Sequence, residues 1–185
     1  MRVITGTARG RRLETLEGND VRPTADRVKE ALFSMIQFQV EGRKILDLFA
    51  GSGQLGIEAL SRGGASCVFV DASRMATDIV TKNLEKTGLM DRAKVLTMDS
   101  FVYLSQCTER FDIAFLDPPY AKGFLETALP LLAERMNKGG TILCENAATE
   151  SLPEDVGDFV KARTRRYGKT TLTIYSHRDV ITGES

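Results

Sequence analysis

The sequence predicts an α/β fold in which a mostly parallel sheet carries helices on both faces and ends in an antiparallel hairpin. From about Lys44 onward, short apolar runs alternate with stretches of helical periodicity, which is the pattern of parallel strands joined by helical crossovers. The last two alternating segments instead flank a short turn at 166–169, which predicts a hairpin. At 185 residues, the chain has the length of one domain.

The predicted strands are short, mainly apolar runs. They cover residues 44–49, 67–70, 93–98, 111–116 and 141–145, followed by hairpin segments at 159–165 and 170–176. The predicted helices of the sheet domain cover residues 54–62, 73–86, 100–106 and 123–136. Ser73 is the expected N-cap of the second of these helices, and Gly88 its expected end.

Two segments precede the sheet. Residues 2–13 predict a short basic strand or ribbon, and Thr24 is expected to cap a helix that runs to about Phe38. The inner face of this helix should carry Val28, Leu32 and either Met35 or Ile36. We therefore expect an N-terminal extension, residues 1–40, that packs on a main domain, residues 41–185, as one globular unit.

Composition excludes several classes of protein. No apolar run approaches the length of a membrane-spanning helix, and the N-terminus lacks the apolar core of a signal peptide. One histidine and three widely spaced cysteines, Cys67, Cys107 and Cys144, offer almost nothing for zinc ligation. We expect free thiols, no metal, no membrane association and a cytoplasmic location.

Basic residues cluster near both ends of the chain although the net charge is zero. Clustered basic side chains favour phosphate contacts, where counterion release drives binding. The alternative is that they are solvated charges that protect strand edges from aggregation. The candidate RNA-binding residues are Arg9, Arg11, Arg12, Arg165, Arg166 and Lys169.

A glycine loop follows the first predicted strand and begins a helix. Gly51, Gly53 and Gly56 satisfy the G-x-G-x-x-G pattern, and Asp71 follows about 20 residues after the first of them. The pattern alone favours NAD or FAD, with the acid at the end of the second strand binding ribose hydroxyls.

Asp47 favours a different ligand. A carboxylate just before the loop would repel a pyrophosphate, but it suits the cationic sulfonium and ammonium groups of S-adenosylmethionine. The alternative is that Asp47 caps a neighbouring backbone amide. Two further positions fit the same cofactor: Asp99 as acceptor for the adenine amino group, and Phe101 packed on the ring. Asp99 is also a candidate helix N-cap, and both roles are compatible.

The tetrapeptide Asp117-Pro118-Pro119-Tyr120 follows the apolar fourth strand, at the edge where open α/β sheets bind ligands. The prolines fix the backbone, so that the Asp117 carboxylate and the Pro118 carbonyl can both accept from one NH2 group. Two such acceptors favour a tetrahedral nitrogen and restore its lone pair as a nucleophile. Tyr120 offers a face for an unstacked base. The alternative is a turn that closes the strand, with Asp117 as a turn acid and Tyr120 as rim packing.

These motifs resemble the ribosomal RNA small subunit methyltransferase D family over essentially the whole chain. The resemblance lies in residues 46–63, in Arg22-Pro23-Thr24 with Asp26-Arg27-Val28, in the tetrapeptide, in the Arg-rich start and in Tyr167-Gly168. Two departures are small: Gln54 stands where the family often has Ala, and Asp71 where Glu is usual.

The resemblance implies a Rossmann-like class I S-adenosylmethionine-dependent methyltransferase fold with a seven-stranded sheet. It implies methyl transfer to the exocyclic N2 of a guanine in 16S ribosomal RNA, with Arg22 and Thr24 added to the cofactor site. The expected partner is ribosomal RNA or a partly assembled small ribosomal subunit, bound by a monomer. The main alternative is an adenine-N6 methyltransferase acting on DNA or RNA. An NAD-dependent oxidoreductase and a non-catalytic RNA-binding module remain further alternatives.

Overall fold

Five apolar segments form the parallel part of the sheet, as the sequence predicts. In the computed structural model, which describes residues 1–16, 23–119 and 123–181, these strands are β1 (Lys44–Leu48), β2 (Ser66–Asp71), β3 (Ala93–Thr97), β4 (Phe111–Leu116) and β5 (Met136–Ala147). Three antiparallel strands extend the sheet beyond β5: β6 (Asp155–Val156), β7 (Phe159–Tyr167) and β8 (Thr170–His177). The spatial order is β3-β2-β1-β4-β5-β8-β7-β6.

The sheet of the described residues has eight strands, whereas seven were predicted. The additional strand is β6, which pairs Asp155 with Val160 and Val156 with Phe159. Two residues are too few to show a period of two, so the sequence gives no signal for this strand.

Strand β5 also begins earlier than predicted. The expected helix at 123–136 ends at Ala133, and β5 starts at Met136 and continues through Gly139 and Gly140. Phe111 pairs with Met136, but Ile113 pairs with Thr141, so extra residues are accommodated on the β5 side of the ladder. Gly139 adopts a φ of 75° in this irregular stretch. The glycines therefore bend the strand and do not precede it.

The helices lie close to their predicted positions. They are α1 (Pro23–Met35), α2 (Gln54–Ser61), α3 (Arg74–Thr87), α4 (Ser100–Gln106), α5 (Phe124–Ala133) and α6 (Arg178–Ile181), with a 3₁₀ turn at Met90–Arg92. The Ser73 hydroxyl accepts from the Ala76 amide at 3.3 Å, and Gly88 ends α3 with a φ of 71°, so both predicted caps are confirmed.

Helix α1 corrects two predictions. Because it begins at Pro23, where a proline is well tolerated, Thr24 lies inside the helix and is not its N-cap. The helix also ends at Met35 and not near Phe38. No helix within the described ranges is long and apolar enough to cross a membrane.

The N-terminal ribbon packs on one face of the sheet. Arg2 and Arg12 form an isolated antiparallel bridge, and Val3, Ala8 and Leu13 are buried in the core cluster of that face. The same cluster contains the α1 side chains Val28, Leu32 and Phe33, Ile36 directly after α1, and the hairpin side chains Leu172 and Ile174. The division of the chain at residue 40 stays a prediction.

A buried carboxylate anchors the ribbon. Glu58 of α2 is fully buried and accepts hydrogen bonds from the Ile4 amide at 2.9 Å and the Thr5 amide at 3.0 Å. It also pairs with Arg62 at 2.9 Å and with the buried Lys29 at 3.6 Å. Burial lowers the pKa of Lys29, while the Glu58 charge raises it. The paired charges therefore connect the ribbon, α1 and α2 inside the core.

Candidate active site

Four carboxylates lie near the carboxyl edge of the sheet: Asp47, Asp71, Asp117 and Glu145. They belong to, or directly follow, β1, β2, β4 and β5. Strand β1 lies between β2 and β4, where the strand order reverses direction. Open α/β sheets bind ligands at such a point, so this edge is the candidate site.

The glycine loop between β1 and α2 is shaped for a close ligand. Gly51 and Gly53 both adopt a left-handed backbone, with φ of 58° and 78°. A Cβ atom added to Gly51 would meet nothing within 4 Å, so the backbone there faces open space. A Cβ atom on Gly56 would lie 2.3 Å from the Phe69 ring on β2. The third glycine therefore serves the packing of α2 on the sheet.

Asp47 is buried, with 2% of its surface exposed, and its Oδ2 accepts from the Gly56 amide at 2.9 Å. Burial raises the pKa of Asp47 to about 8; the Gly56 hydrogen bond lowers it and the nearby Asp71 charge raises it. The alternative prediction, in which Asp47 caps a backbone amide, is therefore confirmed, but this hydrogen bond uses only one of the two carboxylate oxygens. Within the described ranges no cation pairs with this carboxylate. A cationic ligand would relieve the cost of its charge, so the site fits S-adenosylmethionine better than a pyrophosphate.

Asp71 connects the ends of β1 and β2. Its two oxygens accept from the Gly51 amide at 2.9 Å and from the Ser73 amide at 2.8 Å. Each carboxylate oxygen keeps a further acceptor position for a ribose hydroxyl. Asp99 caps α4 through one oxygen, which accepts from the amides of Phe101 and Val102 at 2.9 and 3.0 Å. The N-cap role is confirmed, while contacts of Asp71 and Asp99 with a cofactor stay predictions.

Three half-buried phenyl rings meet beside these acids. The centroid of the Phe101 ring lies 6.1 Å from that of Phe49 and 5.7 Å from that of Phe124. The ring centroids of Phe49 and Phe124 are 5.8 Å apart. Phe49 has a φ of 62° and is the only non-glycine residue in the described ranges with a positive φ. Such a conformation is strained for a bulky side chain. Phe101 is therefore placed near the glycine loop, and its contact with an adenine ring stays a prediction.

Asp117 and Glu145 stand side by side. They directly follow Leu116 and Cys144, which pair in the parallel ladder between β4 and β5. Burial raises the pKa of Asp117 well above its usual value, and the Glu145 charge and then the Asp47 charge raise it further. Burial also raises the pKa of Glu145. Each acid of this interacting pair therefore holds a proton more readily than an exposed carboxylate does.

A cavity of about 340 Å³ opens next to this pair. Pro118, Pro119 and Glu145 form part of its wall, and residues 149–152 after β5 form another part. The buried Asn146 fixes that segment by donating to the carbonyls of Ala147 and Glu150, both at 3.2 Å. A cavity of this size, with a few polar groups on its wall, is typical of small-ligand sites.

Two predicted site residues, Arg22 and Tyr120, lie outside the described residues, and the Thr24 side chain is not described. Their roles stay predictions.

The six basic candidates are exposed, as expected for residues that contact phosphate. Arg9, Arg11 and Arg12 lie on the ribbon, whereas the other three lie on the hairpin, where the Arg166 guanidinium donates to the Gly168 carbonyl at 2.9 Å. The ribbon and the hairpin pack into the same core cluster, through Val3 and Leu172 among others. Contact with RNA is not tested by this arrangement.

Sequence reasoning missed the buried Asn83 of α3. Its amide group donates to the Glu14 carbonyl at 3.0 Å and to the Ser52 carbonyl at 2.9 Å, and its oxygen accepts from the Glu14 amide at 2.7 Å. It thereby joins Glu14, which directly follows the ribbon, to the glycine loop. Its position on the inner face of a helix, among apolar residues, was the available signal.

No group of three or more His, Cys, Asp or Glu side chains capable of holding a metal ion occurs in the part of the chain that the structure describes. Cys67, Cys107 and Cys144 are free thiols.

Comparison with known proteins gives the family. The family model described as "conserved hypothetical protein 95" matches residues 1–176. YlbH of Bacillus subtilis is 43% identical over 183 residues, which are 96% of this chain and all of that protein. Ribosomal RNA small subunit methyltransferase D of Haemophilus influenzae is 39% identical over 72% of this chain and 71% of that protein. The protein of the same name from Escherichia coli is 32% identical over 95% of this chain and 89% of its own length.

The chain belongs to the ribosomal RNA small subunit methyltransferase D family. It is therefore a methyltransferase, and the resemblance seen in its motifs is confirmed. Solved structures agree: the Escherichia coli protein yhhF superposes with a TM-score of 0.86 at 32% identity, over 96% of this chain and 97% of that one. The Thermus thermophilus 16S rRNA N2 G1207 methyltransferase RsmC, solved with AdoMet and guanosine, shares the fold at a TM-score of 0.71. That match has 24% identity over 88% of this chain and 45% of RsmC.

Proposed function

We propose that this protein transfers a methyl group from S-adenosylmethionine to the exocyclic N2 of a guanine in 16S ribosomal RNA. The observation that carries the proposal is the position of Asp117-Pro118-Pro119 at the end of β4, directly beside the β1 glycine loop. This neighbourhood brings an amine-binding tripeptide next to a site suited to a cationic nucleoside. The names of the relatives point to ribosomal RNA and do not favour the adenine-N6 alternative.

The cofactor site is built from the β1 and β2 ends. The Asp47 carboxylate faces the positive charge of the cofactor, the Gly51 backbone allows close approach, and Asp71 accepts from the ribose hydroxyls. Asp99 accepts from the adenine amino group with its second oxygen, while Phe101 packs on the ring. The resemblance to the family adds Arg22 and Thr24 to the residues that bind the cofactor.

Asp117 and Pro118 act on the amine. The Asp117 carboxylate and the Pro118 carbonyl accept the two N2 hydrogens, which favours a tetrahedral nitrogen with an available lone pair. The cofactor supplies a methyl group activated by its sulfonium charge. The N2 lone pair forms the new N–C bond while the S–C bond breaks and its electron pair stays on sulfur. The surplus N2 proton passes to Asp117, whose raised pKa suits it for this role.

Asp117 also stabilises charge. The nitrogen becomes positive as the bond forms, and a fixed carboxylate acts most strongly at that moment. Tyr120 supplies a face on which the extruded base stacks.

The RNA is held by the exposed basic residues of the ribbon and the hairpin. Because both elements pack into one core cluster, each group of charges is fixed to the catalytic domain. The substrate is ribosomal RNA, naked or in a partly assembled small subunit, and the enzyme acts as a monomer in the cytoplasm, where this RNA is assembled.

The test is a methylation assay on 16S RNA from cells that lack the gene. Naked RNA and partly assembled subunits are incubated separately with labelled S-adenosylmethionine, and the labelled nucleoside is identified after digestion. We expect N2-methylguanosine at one position. Labelled N6-methyladenosine, or no label in either substrate, would overturn the proposal.

A further inference from the structure

Glu145 occupies a position that the proposed chemistry does not use. It lies in β5, next to Asp117, which directly follows β4, and it lines the cavity together with Pro118. Parallel strands place register neighbours on the same face, so both carboxylates are presented together at this edge. A base whose amino group reaches Asp117 and Pro118 would present the rest of its edge to the neighbouring strand.

The Glu145 carboxylate has no partner among the described residues. It forms no hydrogen bond or ion pair there, although the residue is half-buried. The next residue, Asn146, behaves differently, because its side chain is engaged by the Ala147 and Glu150 carbonyls and by the Thr173 hydroxyl. Strand β5 therefore offers the cavity one acceptor group that is not engaged in holding the fold.

Guanine and adenine both carry an exocyclic amino group, but the ring nitrogen next to that group differs between them. In guanine, N1–H lies next to the N2 amine, so the edge presents adjacent donors. In adenine, the ring nitrogen N1 next to the N6 amine is an acceptor. An ionised carboxylate only accepts hydrogen bonds, so it can pair with guanine N1–H and repels the lone pair of adenine N1. A site built to pair a buried polar group discriminates strongly against a partner that leaves it unpaired.

We propose that Glu145 is a specificity-determining residue that accepts a hydrogen bond from N1–H of the target guanine. The inference rests on the proposed function. Asp117 and Pro118 then bind the amino group, as they would in any exocyclic amine methyltransferase. Glu145 selects guanine over adenine as the base that carries this group. The repulsive contact with adenine N1 excludes the competing base.

The mutual influence of the two acids agrees with this arrangement. The Glu145 charge raises the pKa of Asp117, which places the carboxylates close enough to interact. Guanine brings donors to both, so each acid gains a partner when the base enters. Adenine would satisfy Asp117 alone and leave Glu145 facing a lone pair.

The test replaces the target guanosine, once mapped, by 2-aminopurine riboside in ligated 16S RNA. This base keeps the 2-amino group but has an unprotonated N1. The parent enzyme should methylate guanosine RNA faster than 2-aminopurine RNA. Glu145→Gln keeps the shape and can donate to N1, so the ratio of the two single-turnover rates should fall by about 10–100-fold, as expected for one charged hydrogen bond. Glu145→Asp retains a carboxylate and should retain most of the preference.

The control is Glu126→Gln, which removes a carboxylate from the same cavity wall on α5 and should leave the ratio unchanged. Thermal unfolding and S-adenosylhomocysteine binding are measured for every variant. If the parent methylates guanosine and Glu145→Gln, folded and binding cofactor, keeps the parental ratio, the role of Glu145 is disproved. If Glu145→Gln does not fold, loss of the preference in Glu145→Asp overturns the proposal and its retention supports it. Failure of the parent to methylate any guanosine would instead overturn the proposed function.

Discussion

The amide of Gly56 donates a hydrogen bond to Asp47 across 2.9 Å, which ties the first turn of α2 to the strand before the glycine loop. This contact does not compensate for the burial of Asp47, whose pKa remains raised to about 8. The ligand-free protein therefore carries a carboxyl group that is held in an unfavourable environment for its charge. Functional sites often retain such groups at a cost in stability.

Replacing Asp47 by Asn should stabilise the ligand-free protein and weaken cofactor binding. A raised folded-state pKa means that the folded protein binds more protons than the unfolded chain between about pH 4 and pH 8, so this group lowers stability as pH rises through that window. Asn keeps an oxygen for Gly56 without the charge. We expect a higher Tm at pH 7.5, by about 2–4 °C for each kcal/mol regained. An unchanged or lower Tm at that pH would contradict the prediction, and the difference should disappear near pH 4.

Cofactor binding should release protons at neutral pH. A cation beside Asp47 lowers the pKa of that carboxyl, so a group that is largely protonated at pH 7 in the free protein becomes ionised in the complex. Affinity should therefore increase with pH until about pH 8. Calorimetric titration of S-adenosylmethionine in two buffers of different ionisation enthalpy measures the release, and Asp47→Asn should remove most of it. Equal heats in both buffers for the parent would show that Asp47 does not face the cation.

Asp117→Asn should slow methylation without affecting folding or cofactor binding. The substitution keeps one acceptor oxygen but removes the charge that stabilises the positive nitrogen and accepts its proton, a loss on the order of 10²–10³ in turnover. In the parent, the rate should increase with pH as Asp117 loses its proton, with a midpoint above the usual aspartate range. Single-turnover rates from pH 5 to pH 9 test both points. A variant with the parental rate would eliminate Asp117 from the mechanism.

Removing basic residues from the hairpin should weaken RNA binding and reduce its dependence on salt. For Arg165→Gln combined with Arg166→Gln, the slope of log K against log salt should fall by about 1 for each phosphate that the variant no longer neutralises. Cofactor affinity should not change, because the hairpin tip does not contribute to the glycine loop. Arg74→Gln is the control, since this arginine is exposed on α3 and pairs with Asp78. If the salt dependence of the hairpin variant equals that of Arg74→Gln, the hairpin arginines are solvated surface charges and do not contact RNA.

Glu58→Gln should destabilise the protein by detaching the ribbon from α2. The ribbon amides keep a weaker acceptor, but the buried Lys29 loses its nearest opposite charge, and breaking a buried pair costs about 3–5 kcal/mol. Lys29→Met added to Glu58→Gln should recover part of that loss, because the buried Lys29 charge is then no longer left without Glu58. Urea unfolding of the parent, the single variant and the double variant measures this. A double variant that is no more stable than the single one would contradict the role of the pair.

The sequence predicts those elements whose cause is local. The apolar runs give the parallel strands, and the caps at Ser73 and Gly88 follow from side-chain oxygens and backbone freedom within a few residues. The glycine loop and the Asp117 tripeptide could be found because each has a chemical reason for its spacing. These features determine the fold and most of the candidate cofactor site.

Features that depend on distant partners were not predictable in this way. Glu145 belongs to a predicted strand, and only the pairing of β4 with β5 places it beside Asp117. Glu58 and Lys29 appear in the sequence as ordinary polar helix residues, although both are buried. Their burial results from the ribbon folding back over α2, a contact across more than 50 residues. Strand β5 likewise begins before Gly139 because Met136 pairs with Phe111 of β4.

The contact between Gly56 and the Phe69 ring changes what the glycine pattern can tell about proteins of this architecture. A methyl group at position 56 would collide with an aromatic side chain of the next strand, whatever molecule lies in the loop. Selection can therefore keep this glycine in relatives that have exchanged one nucleotide for another, or lost the ligand altogether. A sequence search based on the third glycine therefore selects proteins in which the helix packs closely on the sheet. The acid at position 47 is more informative for separating proteins that bind a methyl donor from those that bind a dinucleotide.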